Sequence, residues 1–541
     1  MHPCLNVDEI LRITAKELVA SRVKGTAVAL ACCRRSFEDP VLDALWETQD
    51  RLLPLLKSLP RDAWEIKDGR FVSSGCPEVV VPFPHLTTPA VKSFNRIPTK
   101  AEWNRFRKYA RGMRKLGVDA RWDLITPEVF STLQLRTGND PLLPRLRIFK
   151  CGNVTQEFAP FLPLFLSHPT TDIDVAFARD TSMVMVASTI ARFPTWCPNV
   201  QSLTLKSLPP SPVIIEAVSE MVLACNRDTL QEFFVASPLT EEANSVLYKL
   251  PELRELWAVI RGPATLPPAT LPNLTGIRVE YNHGEDWSQI FRGGTTGKLQ
   301  TVTFMPSESA QIGNFLEEFE STTMSAQDTL SVFRLLTLQS WRPNYSALLV
   351  FKRLTTLEID FSCRNGCSSG VNDDTVVCLA HAMPGLEILR LGQAPCSNPT
   401  GVALRGLVAL ARLCPQLSKL CVHLYVRKLV EMTTGTLPQF ACEHTDAVPR
   451  TDCALKVLQV GQTLISSQSS SAVALTLVHL FPRICDIRYT NQQWRRVVET
   501  VGLFKKVNGH VHIASKCASP IPDWQLLISC EETNSRRNRH R

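Results

Sequence analysis

The chain has 541 residues, 44% hydrophobic and 20% charged, so it can bury a large core and is not a disordered polymer. Lys and Arg exceed Asp and Glu by 59 to 51, and a net charge of +8 over this length does not indicate binding to a bulk polyanion. The 18 cysteines are scattered through apolar runs such as those around Cys378 and Cys414. This distribution predicts buried, reduced thiols in the cytoplasm, the nucleus or both.

The start of the chain, MHPCLNVDEI, has no apolar core of a secretory signal, and no run of about 18 uncharged apolar residues predicts a membrane-spanning helix. We therefore expect no membrane partner. Cys363 with Cys367, and Cys442 with His444, have no companion pair at zinc-finger spacing, so we expect no metal site and no cofactor.

Residues 1–46 contain three short stretches with apolar residues at helical spacing. Ile10 and Leu11 belong to the first stretch, the second runs from Ala27 to Phe37, and the third ends at Trp46. Three helices of this length have a small core, and such modules usually pack on a partner or on the next domain.

The order Leu-x-x-x-Glu-Ile-Leu, followed by the run FEDPVLDALW at residues 37–46, resembles the F-box, and in particular the F-box proteins abundant in mushroom-forming fungi. The resemblance implies docking on the Skp adaptor of a cullin–RING (SCF-type) ubiquitin ligase. The family's docking pattern falls on Leu5, Val7, Ile10, Leu11, Leu30, Phe37, Leu42, Leu45 and Trp46. One departure is that Leu5-Asn6 replaces the family's Leu-Pro opening. The alternative is that these side chains only build the core of the three-helix module.

Residues 47–140 form a predicted connector that is rich in proline up to Pro98. Thr99 and Glu102 have the spacing of a capping box, which predicts a basic amphipathic helix over residues 99–116. Residues 96–121 contain nine Lys or Arg and only two acidic residues. Aromatic residues at helical spacing favour a buried apolar stripe with the basic residues as its solvated face, which makes nucleic-acid binding the less favoured interpretation.

From residue 141 the pattern apolar-x-x-apolar-x-apolar recurs twelve times, at about 28 residues per unit (ten intervals over the 284 residues from 200 to 484). Its units are Leu146/Phe149/Cys151, Val200/Leu203/Leu205, Leu230/Phe233/Val235, Leu253/Leu256/Ala258, Leu274/Ile277/Val279, Leu299/Val302/Phe304, Phe333/Leu336/Leu338, Leu354/Leu357/Ile359, Leu386/Leu389/Leu391, Leu417/Leu420/Val422, Leu455/Leu458/Val460 and Ile484/Ile487/Tyr489. The closing apolar-x-apolar predicts a short strand with two side chains on one face. Helical periodicity between strands predicts helices over residues 213–225, 373–383, 402–413 and 471–481.

This pattern resembles a degenerate, long-period form of the leucine-rich repeat family, in which the Asn or Cys expected after the last anchor is mostly absent. The resemblance implies an α/β fold: the F-box-like module followed by a solenoid of about twelve strand–helix units over residues 141–505. A terminal strand carrying His510 and His512, with a basic tail, is expected over residues 506–541. The 54-residue interval from Leu146 to Val200 indicates an insertion or a missed unit.

No nucleophile-elbow, zinc-protease or kinase motif is present, so we expect no enzymatic activity in this chain. The two resemblances together predict a substrate-recognition subunit of an SCF-type ubiquitin ligase, in which the F-box binds the adaptor and the repeats bind a protein substrate. The alternative is a non-catalytic repeat scaffold without adaptor binding. Exposed positions between the strand anchors show no charge theme in the sequence, so the polarity of the substrate stays open.

Overall fold

We describe the protein from a computed structural model. The description covers residues 8–21, 23–67, 90–118, 125–138, 140–260, 271–281, 287–291, 295–307, 313–337, 343–361, 371–392, 401–426, 453–461, 463–466, 468–489 and 491–514. The chain divides into two compact units, residues 1–337 and residues 338–541.

Three helices form the N-terminal module, as the apolar spacing predicts: α1 (Asp8–Ala20), α2 (Lys24–Cys33) and α3 (Arg35–Glu47). Phe37 lies in α3 and not in the second helix, because the chain turns at Arg34, whose backbone is extended. The helix then continues through Pro40. One buried cluster of the module consists of the small side chains Ala15, Ala27, Val41 and Ala44, and Leu11 and Phe37 are buried as well.

The connector contains α4 (Leu53–Leu56), a 3₁₀ turn (Arg61–Ala63), the antiparallel pair β2 (Trp64–Lys67) and β3 (Ala90–Phe94), and α5 (Lys100–Ala110). The predicted capping box is confirmed: the Thr99 hydroxyl accepts from the Glu102 N–H at 3.4 Å, and the Glu102 carboxylate accepts from the Thr99 N–H at 2.7 Å. The helix ends six residues before the predicted residue 116. Met113 and Leu116 fit both helical spacing and the repeat pattern, and the structure places Leu116 in strand β4 (Lys115–Val118).

In the described part of the first unit, ten parallel strands pair in chain order from β1 through β4 to β12. Besides β4 they are β1 (Thr48–Gln49), β5 (Ile148–Val154), β6 (Asp172–Phe177), β7 (Ser202–Lys206), β8 (Glu232–Val235), β9 (Glu255–Ile260), β10 (Gly276–Tyr281), β11 (Thr301–Pro306) and β12 (Val332–Thr337). Each repeat adds one strand beside the preceding one, and its buried anchors align with those of its neighbours, as Leu203, Phe233 and Leu256 do. This arrangement is a solenoid with a shared core.

Helices or short 3₁₀ turns connect these strands. The helices are α6 (Pro127–Thr137), α7 (Met183–Ile190), α8 (Phe193–Trp196), α9 (Pro212–Ala224), α10 (Glu241–Leu247) and α11 (Phe315–Thr323). The 3₁₀ turns are Ala159–Leu164, Trp287–Ile290, Thr295–Lys298 and Met324–Ala326. The predicted helix over 213–225 is therefore confirmed as α9, whereas several other repeats have only a turn at this position.

The long interval after Leu146 contains a missed unit. Strand β6 follows Thr170, which occupies the position of the first anchor and is completely buried. Its hydroxyl donates a hydrogen bond to the Leu146 carbonyl, 3.2 Å away in the preceding repeat, and so satisfies the polar atom that burial would otherwise leave unpaired. A search for an apolar anchor could not find this unit.

The seventh predicted unit has the wrong register. In β12 the buried anchors are Phe333 and Leu335, preceded by Leu330, and they pair with Val302 and Phe304. The predicted anchor Leu336 is only half-buried, and Leu338 lies outside the described residues. Two overlapping matches to the pattern occur in the segment LSVFRLLTL, and only the earlier match aligns with the neighbouring strand.

The second unit contains, in its described part, five parallel strands in chain order: β13 (Thr356–Phe361), β14 (Ile388–Leu391), β15 (Lys419–Val422), β16 (Val457–Gly461) and β17 (Asp486–Tyr489). Its helices are α12 (Asp373–Ala382), α13 (Leu404–Leu413), α14 (Ser470–Leu480) and α15 (Trp494–Ala514), with a 3₁₀ turn at Tyr345–Leu348. The three helices predicted between strands here are confirmed. The predicted terminal strand is wrong, because His510 and His512 lie in α15.

Two polar contacts join successive repeats of the second unit. The Asp373 carboxylate accepts hydrogen bonds from the N–H groups of Ala403 (2.7 Å) and Gly406 (3.0 Å), at the start of α13 in the next repeat. Trp494, completely buried, donates its indole N–H to the Thr463 carbonyl at 2.8 Å and fastens α15 to the last repeats. Both contacts satisfy backbone groups that would otherwise be unpaired.

Candidate protein-interaction surfaces

The predicted adaptor-binding residues fall into three groups by burial. Leu5 and Val7 lie outside the described residues, and Leu11 and Phe37 are buried within the module, each 3% exposed. The half-buried residues are Leu30, Leu42, Leu45 and Trp46. Ile10 is 38% exposed, the highest value among the predicted residues that the structure describes. The structure therefore does not bring the whole predicted set together on one accessible surface.

Trp46 packs against the connector. Its ring stacks on that of Tyr109 in α5, with centroids 4.9 Å apart and planes inclined by 23°. Gly112 makes room for this contact, because a Cβ atom there would lie 3.2 Å from the Trp46 Cβ. One predicted docking residue thus holds the module on the connector.

Several cations of the basic segment are paired with carboxylates of the chain itself. Lys108 lies 3.2 Å from Asp39 and 3.4 Å from Glu38, both in α3. Arg96 contacts Asp62 at 2.8 Å and Glu102 at 2.7 Å, and its hydrogen bonds lower the pKa of Glu102 to about 2. The predicted apolar stripe is confirmed by the burial of Trp103, Phe106, Ala110 and Met113. This helix is packed on protein, and part of its charge is neutralised there.

Helix α2 is an apolar helix that its neighbours cover only in part: Ala27 belongs to the buried cluster, and Leu30 and Ala31 pack against that cluster. Its sequence is KGTAVALACC, yet only Ala27 is buried. Val28 is 51% exposed, and Cys32 and Cys33 are exposed. Isolated exposed apolar residues are common, but an apolar helix with most of its side chains uncovered is a candidate interface.

The strands of the first unit present an open face to solvent. Along each strand, buried and half-buried side chains alternate, so the half-buried ones project from the face opposite the core. In β8 and β9 these include Phe234 and Trp257, which are partners in register. The Arg278 guanidinium on β10 lies 3.9 Å from the centre of the Trp257 ring, a cation–π contact.

A row of acidic residues and one serine lies two residues before these aromatic residues along the strands, on the same face. Asp172, Ser202, Glu232 and Glu255 are successive partners across strands β6 to β9. The Ser202 hydroxyl donates to Glu232 at 2.7 Å, and the Thr275 hydroxyl donates to Glu255 at 3.3 Å. Burial raises the pKa of Asp172 and of Glu255, and the negative charge of Glu232 raises both further.

Sequence reasoning missed this row, because its successive carboxylates are 60 and 23 residues apart and single units show no charge theme. The signal that could have found them is positional. Asp172, Glu232 and Glu255 each stand immediately before the second anchor of their unit, at the first strand position on the open face, where they are half-buried. Because the polar Thr170 stands at the first anchor of the β6 unit, the apolar pattern did not detect that unit. Asp172 could therefore not be aligned with Glu232 and Glu255.

The cysteines follow the prediction in part. Cys414 is buried, and burial raises its thiol pKa to about 12. Cys197 and Cys453 are buried as well, but Cys378 is exposed, which corrects the expectation for its apolar run. Among the described residues no group of three or more His, Cys, Asp or Glu side chains could hold a metal ion. The residues considered for zinc, Cys363, Cys367, Cys442 and His444, lie outside that part.

The strand order and the aligned anchors define the class of this protein as a repeat solenoid of mixed α/β structure, with strand positions like those of leucine-rich repeats. No protein-family model and no curated protein matches the chain. Among solved structures it is similar to an internalin of Listeria monocytogenes, with 11% identity, a TM-score of 0.28, and coverage of 76% of this chain and 84% of that one. The class assignment depends on the strand register and not on this likeness. No described helix has the length and apolar character needed to cross a membrane.

Proposed function

We propose that this protein is a substrate-recognition subunit of an SCF-type ubiquitin ligase in the cytoplasm or nucleus, with the N-terminal module binding the Skp adaptor and the repeats binding a protein substrate. Such a role needs no catalytic residue in the chain, because the subunit contributes proximity between a substrate and the transferred ubiquitin. The observation that carries the proposal is helix α2, whose apolar side chains are mostly uncovered in the free chain. Ile10, which belongs to the family's docking pattern, is exposed on α1, whereas the one residue of α2 in that pattern, Leu30, is half-buried.

Co-purification with the recombinant Skp adaptor tests the proposal. We expect the full chain to retain the adaptor and the Ile10→Ser/Val28→Ser variant to lose at least tenfold in affinity, because apolar contacts near the centre of an interface dominate its energy. Val184→Ser/Val213→Ser is a matched control, since these side chains are 75% and 50% exposed on α7 and α9 of the repeats. Trp46 is unsuitable for this test because its replacement would also disturb the stacking on Tyr109.

A second function, a repeat scaffold without adaptor binding, is favoured by one specific observation. Phe37 is buried in the module and Trp46 stacks on α5, so two large aromatic residues of the docking pattern have internal roles. In this case the three helices only cover the first repeats. If the wild-type chain does not retain the adaptor, the ligase role is rejected and the scaffold function is the one that stands.

A further inference from the structure

The open face of strands β6 to β9 combines two features that favour a binding partner. The first is the pair Phe234 and Trp257, large aromatic side chains that remain half-exposed on neighbouring strands. The indole nitrogen of Trp257 is itself buried and has no hydrogen-bond acceptor among the described residues. Aromatic side chains with an apolar body and a polar tip are favoured anchors of protein interfaces.

The second feature is the pair of carboxylates beside them. Glu232 and Glu255 lie directly opposite each other on adjacent strands, where two like charges are unfavourable. Within the described ranges, no Lys or Arg comes within ion-pair distance of either carboxylate or of Asp172. Gly276 lies beside Glu255 on the next strand, and a Cβ atom there would clash with the Glu255 carboxylate. The sheet therefore makes room for a charge that nothing described here neutralises.

The neighbouring carboxylate Asp174 shows that the sheet does pair acidic residues elsewhere. Lys206 lies 2.8 Å from it and Lys150 lies 3.9 Å from it, both on adjacent strands. Asp174, Glu232 and Glu255 lie on the same open face, so a difference in solvent access does not explain why only Asp174 has lysine partners. Glu232 and Glu255 are instead complementary to a cation supplied from outside the sheet.

We infer that this face binds a cationic and apolar segment of the protein substrate, with a Lys or Arg side chain between Glu232 and Glu255 and an apolar side chain against Phe234 and Trp257. The inference rests on the proposed role of the repeats in substrate binding and adds the chemistry of the segment. A chain with a net charge of +8 repels a cationic peptide overall, so selective binding of such a peptide requires a local site.

Fluorescence anisotropy with the full chain and two labelled nonapeptides, KLKLKLKLK and ELELELELE, tests this inference. We expect the lysine peptide to bind at least tenfold more tightly than the glutamate peptide. Glu232→Gln/Glu255→Gln should reduce its affinity at least tenfold while keeping side-chain size and the hydrogen bonds from Ser202 and Thr275. Glu216→Gln/Glu220→Gln, an exposed pair on α9 with the same change of charge, should leave the affinity unchanged.

Either of two results would overturn the inference: no preference for the lysine peptide, or equal losses in the two glutamine variants. The thermal midpoint of Glu232→Gln/Glu255→Gln should stay equal or rise, so a folding defect would not be mistaken for loss of the site. Adaptor co-purification with the wild-type chain separates the two proposals. If the wild-type chain binds the adaptor but shows no preference for the lysine peptide, only this face is rejected, whereas peptide binding without adaptor binding rejects only the ligase role.

Discussion

The N-terminal module and the repeats use apolar residues in opposite ways. The module has one buried cluster of three alanines and one valine in addition to the buried Leu11 and Phe37, and it exposes Ile10, Ile13, Val23 and Val28. The repeats bury whole aromatic rings: Phe149, Phe233 and Phe333 lie at equivalent strand positions, and Phe304 lies at the next anchor of its own strand. A solenoid gains stability because each unit buries its face against the next, whereas a module of under fifty residues has too little interior to do so alone.

The largest expected effect is in the core of the repeats. Phe304 is completely buried among Trp287, Phe315 and Phe319, with ring centroids 4.7 to 5.6 Å away. Phe304→Ala should lower the free energy of unfolding of the first unit by about 3–5 kcal/mol. Val41→Ala in the module core should cost about 1–2 kcal/mol, because fewer buried methyl groups are lost. Urea unfolding measures both, and equal losses would contradict the comparison.

The next effect tests how repeats are joined. Asp373→Ala removes the acceptor of two N–H groups at the start of α13 and should cost about 1–3 kcal/mol. Asp374→Ala is the matched control, since it removes the same charge from the same helical turn. Its partner is the exposed Arg405 at 2.8 Å, and an exposed ion pair contributes about 0–1 kcal/mol. If the two variants unfold at the same urea concentration, the hydrogen bonds of Asp373 between repeats do not contribute measurably to stability.

A smaller and local effect is expected where the module meets the connector. Trp46→Ala removes the stacking on Tyr109 and should loosen the module by about 1 kcal/mol. Hydrogen exchange should become faster in α1 to α3 and stay unchanged in strands β7 to β11. Trp46→Phe keeps an aromatic ring and should exchange like the wild type. Faster exchange throughout the strands would mean that the module is part of the solenoid core.

The smallest effect is the pH dependence of the Arg96–Glu102 contact. The pKa of Glu102 is lowered to about 2 in the folded protein, chiefly by its hydrogen bonds from Arg96, and its ordinary value is 4.5. A lowered pKa stabilises the fold above the ordinary value, and this contribution is lost as the pH falls from about 4.5 to 2. The thermal midpoint of Glu102→Gln should lie below that of wild type at pH 6 and approach it at pH 2.5. A constant difference would contradict the assignment.

Much of the fold followed from the sequence, because an apolar anchor repeated at fixed spacing leaves few alternatives. Ten of the twelve predicted units have the observed register, and the capping box at Thr99 and Glu102 is confirmed. In the last unit an irregularity in β16 places Tyr489 opposite Gly461 and not opposite Val460, and Ile487 and Tyr489 are only half-buried. The errors arose where one residue satisfies two patterns or breaks one. Met113 fits both a helix and a repeat, and Thr170 is polar at an apolar anchor but satisfied by a hydrogen bond.

The candidate surfaces were less predictable. Burial of Phe37 and stacking of Trp46 depend on how the module packs on α5, which no local pattern contains. The opposition of Glu232 and Glu255 depends on the pairing of strands from different units. The exposure of α2 could not be derived either, because an apolar sequence alone predicts burial.

Hydrogen exchange of the full chain with and without the Skp adaptor tests most directly whether the module is a docking element. We expect slower exchange in α2 and in the exposed face of α1, unchanged exchange in strands β5 to β12, and no such protection in the Ile10→Ser/Val28→Ser variant. Unchanged exchange throughout residues 8–47 in the presence of saturating adaptor would contradict it.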